Sequence, residues 1–368
     1  MRLHPGSGFF RPESRPSRDL GVLLARQLAV AGPLRVLDAM AGCGIRALRY
    51  GLEAGAAAVW ANDADPERLP VLAANLAPLA AGTCALRITN RTAQQLLATC
   101  LLQRERFELV DLDAFGAPTA LLPLALEAVA IGGVLFLAST DGRSPTGHDR
   151  RAALRSLGAA ARAHPASWEL ALRLQLGCTA RIAWAQGRGI EPLASFSEGR
   201  TFRTAVRLLR SPADGEESRL GLLAHCHGCG DQQVQPLLRL RRWEACACPV
   251  GSAPPLAVSG PLWIGPLQHP ATLASLAEQA AAAPDGLLGR QGARLLAALL
   301  ADPGAQARCW PLADIARRLG GGSPRLAALV EALRSDGFQA SASGVRAGEL
   351  RSDAPWPRIL HLAAGQIR

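Results

Sequence analysis

Three carboxylates in the first third of the chain each follow an apolar run: Asp38 after Val36-Leu37, Asp63 after Val59-Trp60-Ala61-Asn62, and Asp113 after Leu109-Val110-Asp111-Leu112. Between the first two stands a glycine loop, Gly42-Cys43-Gly44-Ile45-Arg46-Ala47. The loop satisfies the loose pattern G-x-G-x-x-G/A, and Asp63 lies near the distance at which a ribose-binding acid follows such a loop. Taken alone, that pattern would suit a nicotinamide cofactor. Asp38 argues against one, because a diphosphate approaches the helix N-terminus through apolar or glycine positions and a carboxylate there repels it. S-adenosyl-L-methionine instead carries an ammonium, a carboxylate and a cationic sulfonium. Asp38 and Arg46 would pair with the first two by charge-assisted hydrogen bonds, and Asp63 would accept from the ribose hydroxyls. Gly42 and Gly44 are the candidate backbone contacts of the loop. The same residues also fit a plain strand-to-helix turn in which Asp38 caps the helix and Arg46 is solvated.

The second site is Asp111-Leu112-Asp113-Ala114-Phe115-Gly116-Ala117-Pro118. An exocyclic amine on a nucleobase is a poor nucleophile, since its lone pair is delocalised into the ring. Something must aim it at the methyl group and accept its hydrogen. Asp113 can accept from the amine, and Phe115 offers a face on which an extruded base stacks. In-line alignment then does much of the work through proximity. Asp111 is placed closer to the buried strand. The competing reading makes Asp113 a helix cap and Phe115 part of the core.

Positioning these groups requires a layered α/β frame. Strands are expected at Arg35 to Asp38, Val59 to Asn62, Ala85 to Thr89, Glu108 to Asp111 and Val134 to Ala138. Helices are expected at Ile45 to Ala54, Pro66 to Leu76, Ala93 to Gln103, Thr119 to Ala130 and Arg150 to Ala163. This alternation argues for a mostly parallel sheet covered by helices. A helix near Leu170 to Gln186 and a hairpin through Leu193 to Phe196 and Thr204 to Leu209 close it. The polar run Ser211 to Ser218 reads as a surface loop. Beyond Pro261 two short helices and a small ribbon resemble a winged-helix unit. The expected division is residues 1–210, a cysteine-bearing insertion 211–260, and a C-terminal domain 261–368.

The 368 residues carry 40 basic and 30 acidic groups, a net charge of +10, which favours a polyanionic partner. Every basic residue is arginine, so the choice of arginine over lysine carries no argument. The opening residues have no secretory pattern, and the apolar run Thr119 to Ala138 is broken by Pro123, Glu127 and Gly132-Gly133, so neither a leader nor a membrane span is expected. A cytoplasmic protein without an obligate protein partner is the expectation. Cys226-His227-Gly228-Cys229 and Cys246-Ala247-Cys248 offer two thiolate pairs that suit one structural zinc, although C-x-C is a tight bite and remnant buried cysteines are the alternative. Arg239, Arg241 and Arg242 around Trp243, with Arg150, Arg151 and Arg155, are candidate phosphate contacts.

Taken together these segments resemble the tRNA guanine-26 N2-dimethyltransferase family. The likeness includes Ser17-Arg18-Asp19-Leu20, Asp38 to Tyr50, Asn62-Asp63, Asp111 to Pro118, Ser139-Thr140-Asp141-Gly142, Gly189 to Ser197, Gly260 to Leu267 and Leu350 to Pro355. The run Gly260-Pro261-Leu262-Trp263 is its most specific part. The resemblance implies a class I S-adenosylmethionine-dependent methyltransferase sheet, Rossmann-like, with a smaller C-terminal α+β, winged-helix-like domain, and it implies tRNA as partner. It matches Arg18 and Arg46 to cofactor-binding arginines, Asp63 to the ribose acid, Ala93 to an adenine-lining position, and Asp113 and Phe115 to the target-base site. It also implies a zinc knuckle in some relatives. Thr92-Ala93 stands where Asp-Ala is usual, Ala114 where proline is usual, and Thr201-Phe202-Arg203 where Tyr-Phe-Arg is typical. These departures keep open a non-catalytic tRNA-binding protein; a nicotinamide oxidoreductase leaves Asp38, Asp113-Phe115 and the basic charge unexplained.

Overall fold

The computed structural model describes residues 3–6, 10–246, 248–249, 251, 253–283 and 286–366. Its main sheet is built from β1 (Arg35–Asp38), β2 (Ala58–Asp63), β3 (Ala85–Asn90), β4 (Phe107–Asp113), β5 (Val129–Ser139), β6 (Gly189–Glu198) and β7 (Thr201–Leu209). Their spatial order is β3-β2-β1-β4-β5-β7-β6. The first five are parallel, and β7 runs antiparallel to both β5 and β6. Alternate residues of the central strands point to opposite faces, so each face acquires its own core. Val36, Leu109, Val134 and Phe136 pack with α1 (Arg15–Val30), α2 (Ile45–Ala54) and α3 (Leu69–Ala80). Leu37, Val110, Leu135 and Leu137 pack with α4 (Ala93–Gln103) and α5 (Leu122–Ala128), and then, beyond α6 (Arg150–Leu157), with α7 (Ser167–Ala185).

The chain departs from β1 to build one side of the sheet and returns as β4 on the other. The carboxyl ends of β1 and β4 therefore flank the switch point at which ligands of open α/β sheets bind. Asp38 ends β1, Asp63 ends β2 and Asp113 ends β4. Two helix ends and one whole helix stand out among the differences from expectation. The helix ending near Ala130 stops at Ala128, because β5 runs through Gly132-Gly133 instead of turning there. The helix expected to reach Ala163 ends at Leu157, where Gly158 takes a left-handed φ of 58°. The first helix, α1, has no counterpart in the expected elements; its opening Arg15-Pro16-Ser17-Arg18 reads as a polar segment, yet Ser17, Arg18 and Asp19 are buried.

The expected boundary at 210/211 falls just after β7, whereas 260/261 falls inside a strand. A small antiparallel sheet, order β10-β8-β9, joins β8 (Leu220–His225), β9 (Gln232–Pro236) and β10 (Ala257–Trp263). The next helices, α8 (Pro270–Ala281) and α9 (Arg290–Ala301), place Leu273, Leu276, Leu296 and Leu299 in the same core as α1. A separate apolar core forms only from Trp310 onward. It is enclosed by β11 (Cys309–Pro311), α10 (Leu312–Leu319), α11 (Leu326–Ser335), β12 (Ala340–Ala342), β13 (Glu349–Ser352) and α12 (Trp356–Ala364), an order that suits the winged-helix expectation. A buried ionic cluster bridges this unit to α7. Arg351 of β13 pairs with Glu169 and, at 2.8 Å, with Asp302. Arg173, fully buried, pairs with Glu169 and donates to the carbonyls of Trp263, Gly265, Gly304 and Gln306. No helix among the described residues is long and apolar enough to cross a membrane.

Candidate active site

One cavity of about 510 Å³ opens at the switch point and runs from the glycine loop to the end of β4. Arg18, Gly42, Arg46, Asp63, Asp113 and Phe115 all line it, so most of the side chains singled out in the sequence meet in one space. Asp38, Gly44 and Ala93 are not on its wall. Asp38 is fully buried behind it, and its Oδ2 accepts the backbone N–H of Ala47, 3.2 Å away, in the first turn of α2. In place of the direct cofactor contact expected of it, the carboxylate occupies the helix N-terminus that a diphosphate would need. Burial and then Asp111 push its carboxyl well above the ordinary range. Gly44 serves close packing: with φ 80°, a Cβ there would lie 2.7 Å from Leu72 of α3. Gly42, at φ 54°, faces open space where a Cβ would meet nothing within 4 Å. Ala93 is buried at the start of α4, where Thr92 closes a capping box with Gln95. The threonine at this position thus keeps the helix-capping function but presents no carboxylate.

At the cofactor end, Arg18 is buried and, among the described residues, its side chain donates only to the carbonyls of Arg11 and Pro12, at 3.1 Å each. It is in no ion pair among the described residues. Burial, and next the charge of Arg46, bring its guanidinium down to about 10, the mark of a cation that would gain from an anionic ligand. Asp63 is held by the N–H groups of Gly42 at 2.8 Å and Asp65 at 3.0 Å, which fixes its carboxylate at the lip of the loop.

At the other end stand two buried guanidiniums and the carboxylates between them. Arg46 reaches Asp113 at 3.3 Å, Asp111 at 3.4 Å and the Ser17 hydroxyl at 3.0 Å. It is therefore not the solvated side chain of the competing reading. Asp111 is fully buried and accepts from Tyr50 Oη at 2.5 Å, a structural place that agrees with its lesser expected role. Arg203 of β7 donates to both oxygens of Asp113 at 3.2 Å. Burial pushes the Asp113 carboxyl up, but Arg203 and then Arg46 overcome it and hold the group below the ordinary carboxylate range. Its side chain remains 31% exposed toward the cavity. Phe115 is 75% exposed beside it. The loop carrying both is clamped to β5: Gly116 N–H donates to Thr140 Oγ1 at 2.6 Å, and its carbonyl accepts from Thr140 N and Ser139 Oγ. Those bonds fix the loop at Gly116 with alanine, and no proline, at position 114.

Arg203 and its partner Glu198 were not among the expected site residues. They lie 90 and 85 positions from Asp113 in sequence, and the only signal was the unassigned Thr201-Phe202-Arg203 run. Away from the cavity, the thiols of Cys226, Cys229, Cys246 and Cys248 converge, all four sulfurs lying within 4.8 Å of one another. The knuckle's backbone is read by the C-terminal unit: Trp356 donates to Cys229 O at 2.7 Å and Trp310 to Gly230 O at 3.0 Å, their rings stacked 5.4 Å apart. Arg150, Arg151, Arg155, Arg239, Arg241 and Arg242 are all exposed, and Trp243 is half-buried.

Comparison with known proteins places these features in context. The model of a family described as N2,N2-dimethylguanosine tRNA methyltransferase matches residues 4–363. A protein of Methanoregula boonei named tRNA (guanine(26)-N(2))-dimethyltransferase is 30% identical over 98% of this chain and 92% of its own length. One of Methanosphaerula palustris with the same name is 31% identical, over 97% and 92%. The solved structure of Trm1 from Pyrococcus horikoshii with S-adenosyl-L-methionine superposes with a TM-score of 0.84 at 24% identity, covering 100% of this chain and 97% of that one.

Proposed function

The chain belongs to the N2,N2-dimethylguanosine tRNA methyltransferase family, and from that premise we propose that it methylates the exocyclic N2 of guanine 26 in tRNA, once and then again, with S-adenosyl-L-methionine as donor. The observation that carries this reading is the single cavity joining the glycine loop to Asp113 and Phe115. A base-handling pair and a donor-handling loop are useful together only if their ligands can touch. The wall chemistry suits a zwitterionic, cationic donor: Arg18, in no ion pair among the described residues, for its carboxylate, Asp63 for the ribose, and Asp113, whose carboxyl is held low, as an acidic group that would repel a diphosphate. When bound, the donor supplies a methyl group on a positively charged sulfur.

The chain's own residues do the rest. Phe115 stacks the extruded guanine, and Asp113 accepts a hydrogen bond from N2–H, turning the amine's lone pair toward the methyl carbon. As the N–C bond forms and the C–S bond breaks, positive charge grows on N2 next to an ionised carboxylate. A carboxyl held below its ordinary range is a weak base, so Asp113 acts as a hydrogen-bond acceptor and stabilising charge. The proton of the methylated amine then passes to water at the open side of the cavity. The exposed arginines of α6 and of the segment 239–242 hold the phosphates around the extruded base, which makes binding strongly salt-dependent. The four thiols fit one tetrahedral zinc, whose ligands lie about 3.8 Å apart when each is about 2.3 Å from the ion; Cys226, Cys229, Cys246 and Cys248 would hold it in a structural role. The compartment is the cytoplasm, with tRNA.

The test is transfer of labelled methyl from S-adenosylmethionine to unmodified tRNA, followed by mass spectrometry of the digested nucleosides. N2-methylguanosine and N2,N2-dimethylguanosine at position 26 are expected, with calorimetric binding of S-adenosylhomocysteine and none of NAD. Binding of NAD alone, or cofactor binding without any methylated guanosine, would refute it.

A further inference from the structure

Asp113 belongs to a closed circuit of hydrogen bonds and one ion pair drawn from five elements. Arg203 on β7 donates through Nη2 to both Asp113 oxygens and through Nε to Glu198 Oε2 at 3.1 Å. Glu198, at the end of β6, accepts the Ser17 N–H of α1 at 2.9 Å through its other oxygen. The Ser17 hydroxyl accepts from Arg46 of α2, and Arg46 returns to Asp113 on β4. The arginines are buried, at 3% and 7% side-chain exposure. Arg203 Nη1 is buried with no hydrogen-bond partner, so two carboxylates account for every hydrogen bond its guanidinium makes among the described residues. The circuit also touches the donor end, since Ser14, whose carbonyl accepts from Ser17 Oγ, lines the cavity along with Arg18.

A carboxylate rotates freely about its Cβ–Cγ bond unless both oxygens are engaged. A planar guanidinium, itself fixed by a second carboxylate, supplies that restraint in a way an ammonium cannot. We infer that Arg203, oriented by Glu198, is a positioning residue for methyl transfer, fixing the rotation of the Asp113 carboxylate so that one lone pair faces the substrate amine. This rests on the methyltransferase reading above. Arg203 is also the foremost of the two cations that keep the Asp113 carboxyl low. Its loss therefore predicts a change in pH dependence, which a purely scaffolding arginine would not produce.

The experiment uses the full chain and compares Arg203→Met, Arg203→Lys and Glu198→Gln with wild type. Arg203→Met is expected to lower kcat about 100-fold, the usual cost of misplacing a reacting group by about 1 Å. Its KM for S-adenosylmethionine and Kd for S-adenosylhomocysteine should stay within about threefold, and an acid limb absent from wild type should enter its kcat profile as Asp113 titrates upward. Arg203→Lys should recover only part of the rate, and Glu198→Gln should lower kcat about tenfold with the same split between kcat and KM. If Arg203→Met does not fold, the isosteric Glu198→Gln decides. A kcat within threefold of wild type in the decisive variant would overturn the inference, as would kcat and cofactor affinity falling in parallel. Active wild type with an unaffected variant leaves the methyltransferase reading standing; inactive wild type overturns that reading, and the inference with it.

Discussion

Replacing Asp113 with alanine separates the chemistry from the donor site. A carboxylate about 4 Å from a developing cation contributes on the order of 4 kcal/mol at an effective dielectric of about 20. Asp113 is 31% exposed, so solvent screens part of this, and a water entering the space restores more. About 2–3 kcal/mol remains, the range of a hydrogen bond to a charged group. At about 1.4 kcal/mol per tenfold, kcat for tRNA should fall about 30- to 150-fold. The protein should still fold, because Arg46 keeps Asp111 and Ser17, and Arg203 keeps Glu198. Calorimetry should give S-adenosylhomocysteine affinity within about threefold of wild type, the Arg18–Asp63 end being untouched. The assay is single-turnover transfer of labelled methyl at saturating tRNA. Transfer within threefold of wild type would remove Asp113 from the mechanism; loss of cofactor binding alongside transfer would show that it holds the donor and not the amine.

Phe115→Ala removes a 75% exposed ring, so thermal stability should change little, while kcat/KM for tRNA falls about 5- to 150-fold through about 1–3 kcal/mol of lost base stacking; unchanged kcat/KM would refute the stacking role. Metal analysis should find one zinc per chain. Its removal by a strong chelator should alter indole fluorescence, because Trp310 and Trp356 are bonded to the knuckle's carbonyls, while S-adenosylhomocysteine still binds; a metal-free protein with native fluorescence would contradict this. Glu349 is pushed up to about 7, by burial and then by Glu169. A folded value above the unfolded one stabilises most fully below the unfolded value, and that contribution is lost as pH rises through about 7. Denaturant titrations should therefore show wild type losing on the order of 2–3 kcal/mol relative to Glu349→Gln between pH 4.5 and 8, and parallel curves would refute it.

The alternation of apolar runs with helical patterns made the five parallel strands legible, since buried strands and amphipathic helices leave different periodicities. Asp113 and Phe115 were legible for another reason: both sit in one short segment at a strand end, where local spacing alone brings them together. Arg203 and Glu198 were not, because their significance arises from a hairpin that folds back across β5, and no local pattern marks which arginine among forty will meet a carboxylate. Asp38 shows the opposite limit. Its type and position read as hostile to a diphosphate, but whether the side chain faces the cavity or the helix end behind it depends on how α2 seats against β1. The placing of α8 and α9 follows the same logic, as an apolar helix face states that it is buried and not against what.

Arg173 and Arg351 together lock α7, the loop after β10 and the C-terminal sheet into one block whose parts cannot slide without exposing several charges at once. Taking away any one of these charges would leave its partners buried and uncompensated, so the joint between α7 and the C-terminal sheet should give way as a unit and not piece by piece.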